Sequence, residues 1–100
     1  MRIKRQTEKG FMGAVVSFAK LHGWTPYHTH DSRRSDAGFP DLVLVRSGQL
    51  VFAELKAGRN EPSKAQTTWL GLLATVPGVT VRLWYPKDWA EIERVLGARR

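Results

Sequence analysis

Two carboxylates and a lysine, Asp41, Glu54 and Lys56, are the side chains in this sequence best suited to chemistry. They flank two short apolar runs, residues 42–45 and 50–53, whose composition is typical of β-strands. Carboxylate oxygens are hard ligands for divalent cations, and a lysine ammonium beside them supplies a compensating positive charge. The three residues therefore form a candidate cation-binding centre, provided that the fold brings them together.

A turn signal between the two runs predicts that they form a β-hairpin with Ser47 and Gly48 as its loop. The register set by this two-residue loop places Asp41 opposite Glu54, with Cβ atoms about 5 Å apart on one face of the sheet. The two-residue period of a strand puts Lys56 on the same face. A four-residue loop would keep this register, whereas a loop with an odd number of residues would make the contact diagonal.

The same charges have a simpler interpretation, which is an ordinary edge hairpin whose Asp, Glu and Lys side chains are solvated. We favour the functional interpretation because Glu54 and Lys56 follow an apolar run and lie at the mouth of the next loop, where functional residues are common.

The composition indicates a single compact domain over residues 1–100, with 42% hydrophobic residues and a formal net charge of +7. A basic surface attracts nucleic acid, although a positive excess can equally serve solubility. The absence of cysteine excludes disulfides and thiolate metal sites. Since no segment resembles a signal peptide or a membrane span, we expect a soluble intracellular, cytoplasmic protein, or one in the host cytoplasm if it is viral.

The pattern of apolar residues predicts the element order α-β-β-β-α-β-α and an α/β fold with a small mixed sheet, the hairpin at its centre and helices flanking it. The predicted helices cover residues 6–23, 63–75 and 89–96, and the remaining strands cover 24–30 and 79–85. Pro26 predicts that the first strand is irregular at its start or lies at an edge. Gly38 is expected to allow a close backbone approach.

Several motifs resemble those of a known family. Pro40-Asp41, the hairpin and Glu54-Leu55-Lys56 resemble the signature of the PD-(D/E)XK nuclease superfamily. With Gly38-Phe39 before them and Ser63-x-x-Gln66 after them, the chain is similar to the virus-type replication-repair nuclease (VRR-NUC) domains from Glu8 to about Trp89. The resemblance implies a restriction-endonuclease-like core.

The resemblance also implies a function, namely metal-dependent endonuclease cleavage of DNA in replication or repair. Mg²⁺, for which Mn²⁺ would substitute, would be held by Asp41, Glu54 and the backbone carbonyl of Leu55, while Lys56 would act on the attacking water. The expected substrate is branched DNA such as a Holliday junction, cut by a homodimer; neither a membrane nor a small-molecule cofactor is expected. The alternatives are a non-catalytic DNA-binding module and a nuclease subunit of a larger replication or repair assembly.

Two further polar residues each have two interpretations. Glu8 lies in the first turn of a predicted helix, where the helix dipole favours a carboxylate, but the resemblance makes it a supporting metal ligand. Gln66 completes a capping box with Ser63, but the resemblance places it beside the catalytic residues.

The remaining candidates concern DNA contacts and a second metal site. Basic side chains expected to bind the DNA backbone are Arg33, Arg34, Arg59 and Lys64. His28 and His30 would share a strand face, which is compatible with a zinc site; without cysteines, we favour residues that line the groove or are exposed. Trp69, Trp84 and Trp89 are assigned mainly to the core rather than to base stacking.

Overall fold

The computed structural model of the chain describes residues 7–29 and 37–98. The helices and strands are α1 (Glu8–Leu21), β1 (Thr25–His28), β2 (Leu42–Arg46), β3 (Gln49–Leu55), α2 (Lys64–Ala74), β4 (Val79–Trp84) and α3 (Trp89–Gly97), with a 3₁₀ turn (Pro86–Asp88) before α3. The predicted order α-β-β-β-α-β-α is confirmed. The first helix and first strand are shorter than predicted: Thr7 caps α1 by accepting a hydrogen bond from the Gly10 N–H, and Trp24 precedes β1.

One mixed sheet carries all four strands in the order β1-β2-β3-β4. The strand pairs β1–β2 and β2–β3 are antiparallel, while β3 and β4 are parallel. The hairpin of β2 and β3, named the central hairpin from here on, therefore occupies the middle of the sheet, as predicted. Pro26 lies in the edge strand β1, where a missing N–H is tolerated.

The loop of the central hairpin is the predicted two-residue turn, with φ of 45° at Ser47 and 82° at Gly48. Two successive positive φ values characterise a type I′ turn, whose twist matches that of the flanking strands. The pairing of Arg46 with Gln49 and of Leu42 with Ala53 follows from it. The predicted register is confirmed.

The main core lies between one face of the sheet and the helices α1 and α3. Every second residue of each strand in the central hairpin points into this core, as a strand period of two requires. The buried core residues are Phe11, Val15, Ala19, Trp24, Leu42, Leu44, Val51, Ala53, Leu55, Trp84, Ile92 and Leu96. Trp84 is fully buried, and Trp69 and Trp89 are half-buried with aromatic neighbours, so that core packing accounts for all three tryptophans.

Helix α2 lies on the other face of the sheet and is joined to it by Phe39. The ring of Phe39 packs edge-on against Phe52 of β3 and Trp69 of α2, with centroid distances of 6.0 and 5.0 Å. Gly38, at φ 92°, brings the chain so close to α2 that a Cβ atom would lie 2.5 Å from the carbonyl carbon and oxygen of Ala65. The expected close backbone approach is therefore confirmed, and it sets α2 against the segment that leads into β2.

Arg46 fixes the opposite end of the central hairpin to the two helices of the main core. Its guanidinium donates hydrogen bonds to the backbone carbonyls of His22 at 3.0 Å, Leu96 at 3.0 Å and Ala98 at 2.6 Å. It also lies 4.4 Å from the centroid of the Trp24 ring. These carbonyls lie at the ends of α1 and α3, where the helix dipoles favour a cation. One side chain thus ties both helices to β2.

The outer face of β1 and β2 is left partly uncovered, because α2 packs mainly beside β4. Tyr27 is 63% exposed and Val45 is 47% exposed on this face. Within residues 7–29 and 37–98, no helix combines the length and the apolar character needed to span a membrane.

We expect Gly38→Ala to lower the free energy of unfolding by at least about 2 kcal/mol, because the new methyl group would meet the α2 backbone at a strained φ. Gly71→Ala is the matched control within α2, where nothing lies within 4 Å of the added Cβ. It should raise stability by about 0.5–1 kcal/mol through helix propensity. Urea unfolding measures both, and equal effects of the two substitutions would contradict the close contact at Gly38.

Candidate metal centre

Asp41 and Glu54, named the acidic pair from here on, lie opposite each other at the open end of the central hairpin. The Asp41 N–H donates to Glu54 Oε1 at 3.3 Å, and the Leu55 N–H donates to Asp41 Oδ2 at 3.0 Å. Each carboxylate is therefore oriented by a backbone group of the opposite strand. The juxtaposition predicted from the register is confirmed.

Lys56 joins the acidic pair, as the strand period predicts. Its Nζ lies 3.7 Å from Glu54 Oε2, and the two side chains are 14% and 1% exposed, respectively. The Lys56 N–H donates to the Trp84 carbonyl at 3.0 Å, so that its backbone continues the pairing of β3 with β4. The ammonium group is thus held next to the acidic pair by regular sheet structure.

Glu54 is the most perturbed carboxyl group in the part of the chain that the structure describes. Burial, reinforced by the negative charge of Asp41, raises the pKa of Glu54 from 4.5 to about 7; the Lys56 ammonium and the Asp41 N–H act in the opposite direction. Among the described residues, Glu54 Oε2 is a buried polar atom that has no hydrogen-bond partner. The Lys56 ammonium, 3.7 Å away, is too distant for a hydrogen bond, so that the unfavourable burial of this oxygen is only partly offset.

The donor set fits a hard divalent cation. A small cavity of about 290 Å³ borders Asp41 of the acidic pair, together with Leu55, His28 and Glu8. No cluster of three or more His, Cys, Asp and Glu side chains suited to a metal occurs within the described ranges. A cation held there would thus depend on two carboxylates, completed by a backbone carbonyl such as that of Leu55, by water or by substrate oxygens.

Glu8 lies in the first turn of α1, and its carboxylate has a partner in the loop after β3. The Asn60 side-chain amide donates to Glu8 Oε2 at 2.9 Å. Glu8 also borders the same cavity as Asp41. Its position in the first turn accords with the helix-dipole interpretation, while its role as a supporting ligand stays a prediction.

Gln66 forms the predicted capping box at the start of α2. Its N–H donates to Ser63 Oγ at 3.1 Å, and its Oε1 accepts from the Ser63 N–H at 2.7 Å. Since the amide oxygen is already bound, any action of Gln66 on a substrate would fall to its amide nitrogen or require the cap to open. The catalytic role of Gln66 remains a prediction.

The structure describes only some of the predicted DNA and metal residues. Arg33, Arg34 and His30 lie outside the described residues, so that the predictions for them stand as they were. Arg59 and Lys64 are exposed on the loop after β3 and at the start of α2. His28 borders the cavity beside Asp41, which agrees with the expectation that it lines a groove.

The structure adds a cleft that the sequence analysis did not predict. It encloses about 570 Å³ between the loop after β3 and the segment after β4, and its lining residues are Gly58, Arg59, Asn60, Glu61, Tyr85, Pro86 and Lys87. The Tyr85 hydroxyl donates to the Asn60 carbonyl at 2.6 Å and so joins the two segments. Only the sheet topology could have indicated this cleft: the carboxyl ends of neighbouring parallel strands lie side by side, and ligands commonly bind there.

This arrangement of a mixed sheet, flanking helices and an acidic pair at the hairpin end is a restriction-endonuclease-like fold. A solved structure described as "VRR_NUC domain protein" is similar to this chain with a TM-score of 0.69 and 20% identity, over 92% of this chain and 87% of that chain. No protein-family model and no curated protein matches the sequence. At this identity the likeness establishes the fold, which is that of a VRR-NUC domain.

We expect the stability of the metal-free protein to depend on pH through Glu54. Because the folded-state pKa of about 7 lies above the ordinary value of 4.5, the folded state binds the proton more tightly than the unfolded state does. The favourable contribution of the protonated group is complete below about pH 4.5 and is lost as the pH rises through 7. Glu54→Gln, which does not titrate, should therefore gain up to about 3 kcal/mol relative to the wild-type chain across this range.

Urea unfolding in EDTA between pH 4.5 and 8 measures this difference. Thr68→Ala, an exposed substitution on α2 that changes no ionisable group, is the control and should differ from the wild-type chain by a constant amount. A constant difference for Glu54→Gln as well would contradict the raised pKa.

Proposed function

We propose that this protein is a metal-dependent endonuclease that hydrolyses DNA phosphodiester bonds. The single observation that carries the proposal is the buried Glu54 oxygen that accepts no hydrogen bond from the described residues, held against a second carboxylate and beside a lysine. A protein without a cation ligand there would gain stability by replacing Glu54. The fold, shared with a structure described as a VRR_NUC domain protein, supports a nuclease-type domain.

Asp41, Glu54 and the backbone carbonyl of Leu55 would hold Mg²⁺, for which Mn²⁺ would substitute, and Glu8 would support the site. When bound, such an ion makes water a better nucleophile and offsets the charge that develops on the phosphoryl oxygens. Oxygen ligands and room for water are what Mg²⁺ requires.

The chain's own groups perform the other tasks. Backbone N–H groups of Asp41 and Leu55 fix the carboxylate orientations in advance, so that these side chains need little reorganisation on binding. The Lys56 ammonium, 3.7 Å from Glu54 Oε2, would orient the attacking water beside the acidic pair. The same ammonium group offsets negative charge in the transition state.

DNA binding rests on the basic surface around this acidic centre. The chain has a formal net charge of +7, and the exposed Arg59 and Lys64 lie on elements that follow Lys56. Together with Arg33 and Arg34 they would contact phosphates, which carry little sequence information. We therefore propose recognition of DNA structure, with branched substrates such as the Holliday junction in replication or repair.

Asp41→Asn, Glu54→Gln and Lys56→Met should each reduce cleavage at least about 100-fold while the protein remains folded, because each removes a charged group that acts in the transition state. The assay uses end-labelled linear, flapped, splayed and four-way DNA in Mg²⁺, Mn²⁺ or EDTA. Lys20→Met, an exposed cation near the far end of α1, is the matched control for Lys56→Met.

Full activity of Lys56→Met, or undiminished cleavage in EDTA, would remove this mechanism. Salt-sensitive binding without any metal-dependent product would instead identify a non-catalytic DNA-binding module. Activity that appears only when partner proteins are added would identify a subunit of a larger assembly.

A homodimer formed through the uncovered outer face of β1 and β2 would supply two such centres for two strands. Tyr27 and Val45 expose apolar surface there. Val45→Glu should therefore shift the mass measured by light scattering from dimer to monomer, because a carboxylate would be buried at the contact. Leu21→Glu, at a 79% exposed position at the end of α1, is the control. The same mass for the wild-type chain and Val45→Glu would contradict this interface.

A further inference from the structure

The cleft between the loop after β3 and the segment after β4 is next to the candidate metal centre but takes no part in it. Asn60 lines this cleft, and its side-chain amide donates to Glu8, which borders the cavity beside Asp41. Lys56 and Tyr85 directly follow the parallel strands β3 and β4, which lie about 4.8 Å apart. The cleft therefore adjoins the end of β3 that carries Lys56.

The side chains of the cleft combine an aromatic ring with two cations. The Tyr85 ring is held in place because its hydroxyl donates to the Asn60 carbonyl at 2.6 Å and its backbone N–H donates to the Asp88 carboxylate at 2.8 Å. Lys87 Nζ lies over one face of the ring, 5.5 Å from its centroid, and Arg59 lines the cleft as well; a base that stacks on this face would displace the Lys87 ammonium toward the phosphate. An aromatic ring beside exposed cations is the combination by which proteins bind a base and its phosphate in single-stranded nucleic acid.

The shape of the cleft selects between paired and unpaired nucleotides. A volume of about 570 Å³ is within the range of pockets that hold small molecules. The Tyr85 ring lines this cleft. A base of an intact duplex cannot enter the cleft, because both faces of that base are stacked on neighbouring bases. Phosphates of a duplex would contact Arg59 and Lys87 but would leave the Tyr85 ring unused.

We infer that this cleft is a subsite for one unpaired nucleotide of the substrate strand, with the base on Tyr85 and a phosphate between Arg59 and Lys87. The remaining charged side chain of the cleft, Glu61, opposes an anion and is suited to accept a hydrogen bond from an exocyclic amino group of the base. The inference deepens the proposed function, on which it rests, because the strand held here is the one that reaches the acidic pair. Among branched substrates, those with unpaired nucleotides at the branch bind more tightly.

The test measures binding in EDTA, independently of cleavage, by anisotropy of a fluorescein-labelled single-stranded 12-mer and of the matching duplex. Tyr85→Leu should weaken single-strand binding roughly tenfold, because a stacked base is lost, and should change duplex binding by less than about twofold. Tyr85→Phe loses the bond to Asn60 but retains the ring and the backbone bond to Asp88, and it should bind the single strand more tightly than Tyr85→Leu does. Stacking is also read from a 2-aminopurine base placed in the single strand. Its fluorescence should be quenched by the wild-type chain and by Tyr85→Phe, and it should remain unquenched with Tyr85→Leu.

The exposed Lys87 provides a second test that does not depend on the packing of Tyr85. Lys87→Gln should lower the slope of log K against log salt by about 0.7 for the single strand, because one phosphate contact is lost. Lys20→Gln is the control cation, about 18 Å along the α1 axis from Glu8, and should leave the slope unchanged.

Equal losses of single-strand and duplex affinity in Tyr85→Leu, or unquenched 2-aminopurine with the wild-type chain, would overturn the subsite. An unchanged slope in Lys87→Gln would overturn its phosphate contact. Cleavage in Mg²⁺ is scored separately: quenching without cleavage would remove the nuclease proposal and leave a single-strand binding site, whereas cleavage without quenching would remove only the subsite.

Discussion

The burial of Glu54 beside a second carboxylate, Asp41, is the constraint on which the rest of this structure depends. Asp41 and Glu54 meet because the register of the central hairpin leaves them no alternative, and each accepts a hydrogen bond from the backbone of the opposite strand. Those bonds and the Lys56 ammonium offset only part of the unfavourable burial, which is why the pKa of Glu54 remains raised. The fold therefore maintains an unfavourable local arrangement by means of contacts made elsewhere.

Those contacts lie on both faces and at both ends of the central hairpin. On one face, Phe39 packs against Phe52 and Trp69, and Gly38 lets the chain approach the backbone of α2. At the turn end, Arg46 binds carbonyl groups at the ends of α1 and α3. A register slip by one residue would turn the core side chains of the slipped strand to the opposite face of the sheet. The acidic pair is stable in position because so many unrelated contacts depend on the same register.

The sequence is sufficient to predict the features that depend on local patterns. The Ser47-Gly48 turn and the alternation of apolar residues define the register, and hence the meeting of Asp41 with Glu54 and Lys56. The capping box of Gln66 is equally local. The cleft was missed because Asn60 and Tyr85 are brought together by the parallel pairing of β3 with β4, a long-range contact without a short-range signal. The nearly complete burial of Glu54 likewise depends on tertiary packing that no periodicity reveals.

The topology also explains why residues suited to chemistry lie together at one end of the sheet, where strands begin or end. The end of β1, the start of β2 and the ends of β3 and β4 all lie there, since the first two pairings are antiparallel and the third is parallel. One residue from each strand end lies there, in the strand order of the sheet: His28, Asp41, Lys56 and Tyr85. The opposite end of the central hairpin contains its turn and the hydrogen bonds from Arg46 to the helices. The Arg46 contacts thus lie at one end of these two strands, and the residues suited to chemistry lie at the other end, where Gly38 and Phe39 also pack against α2.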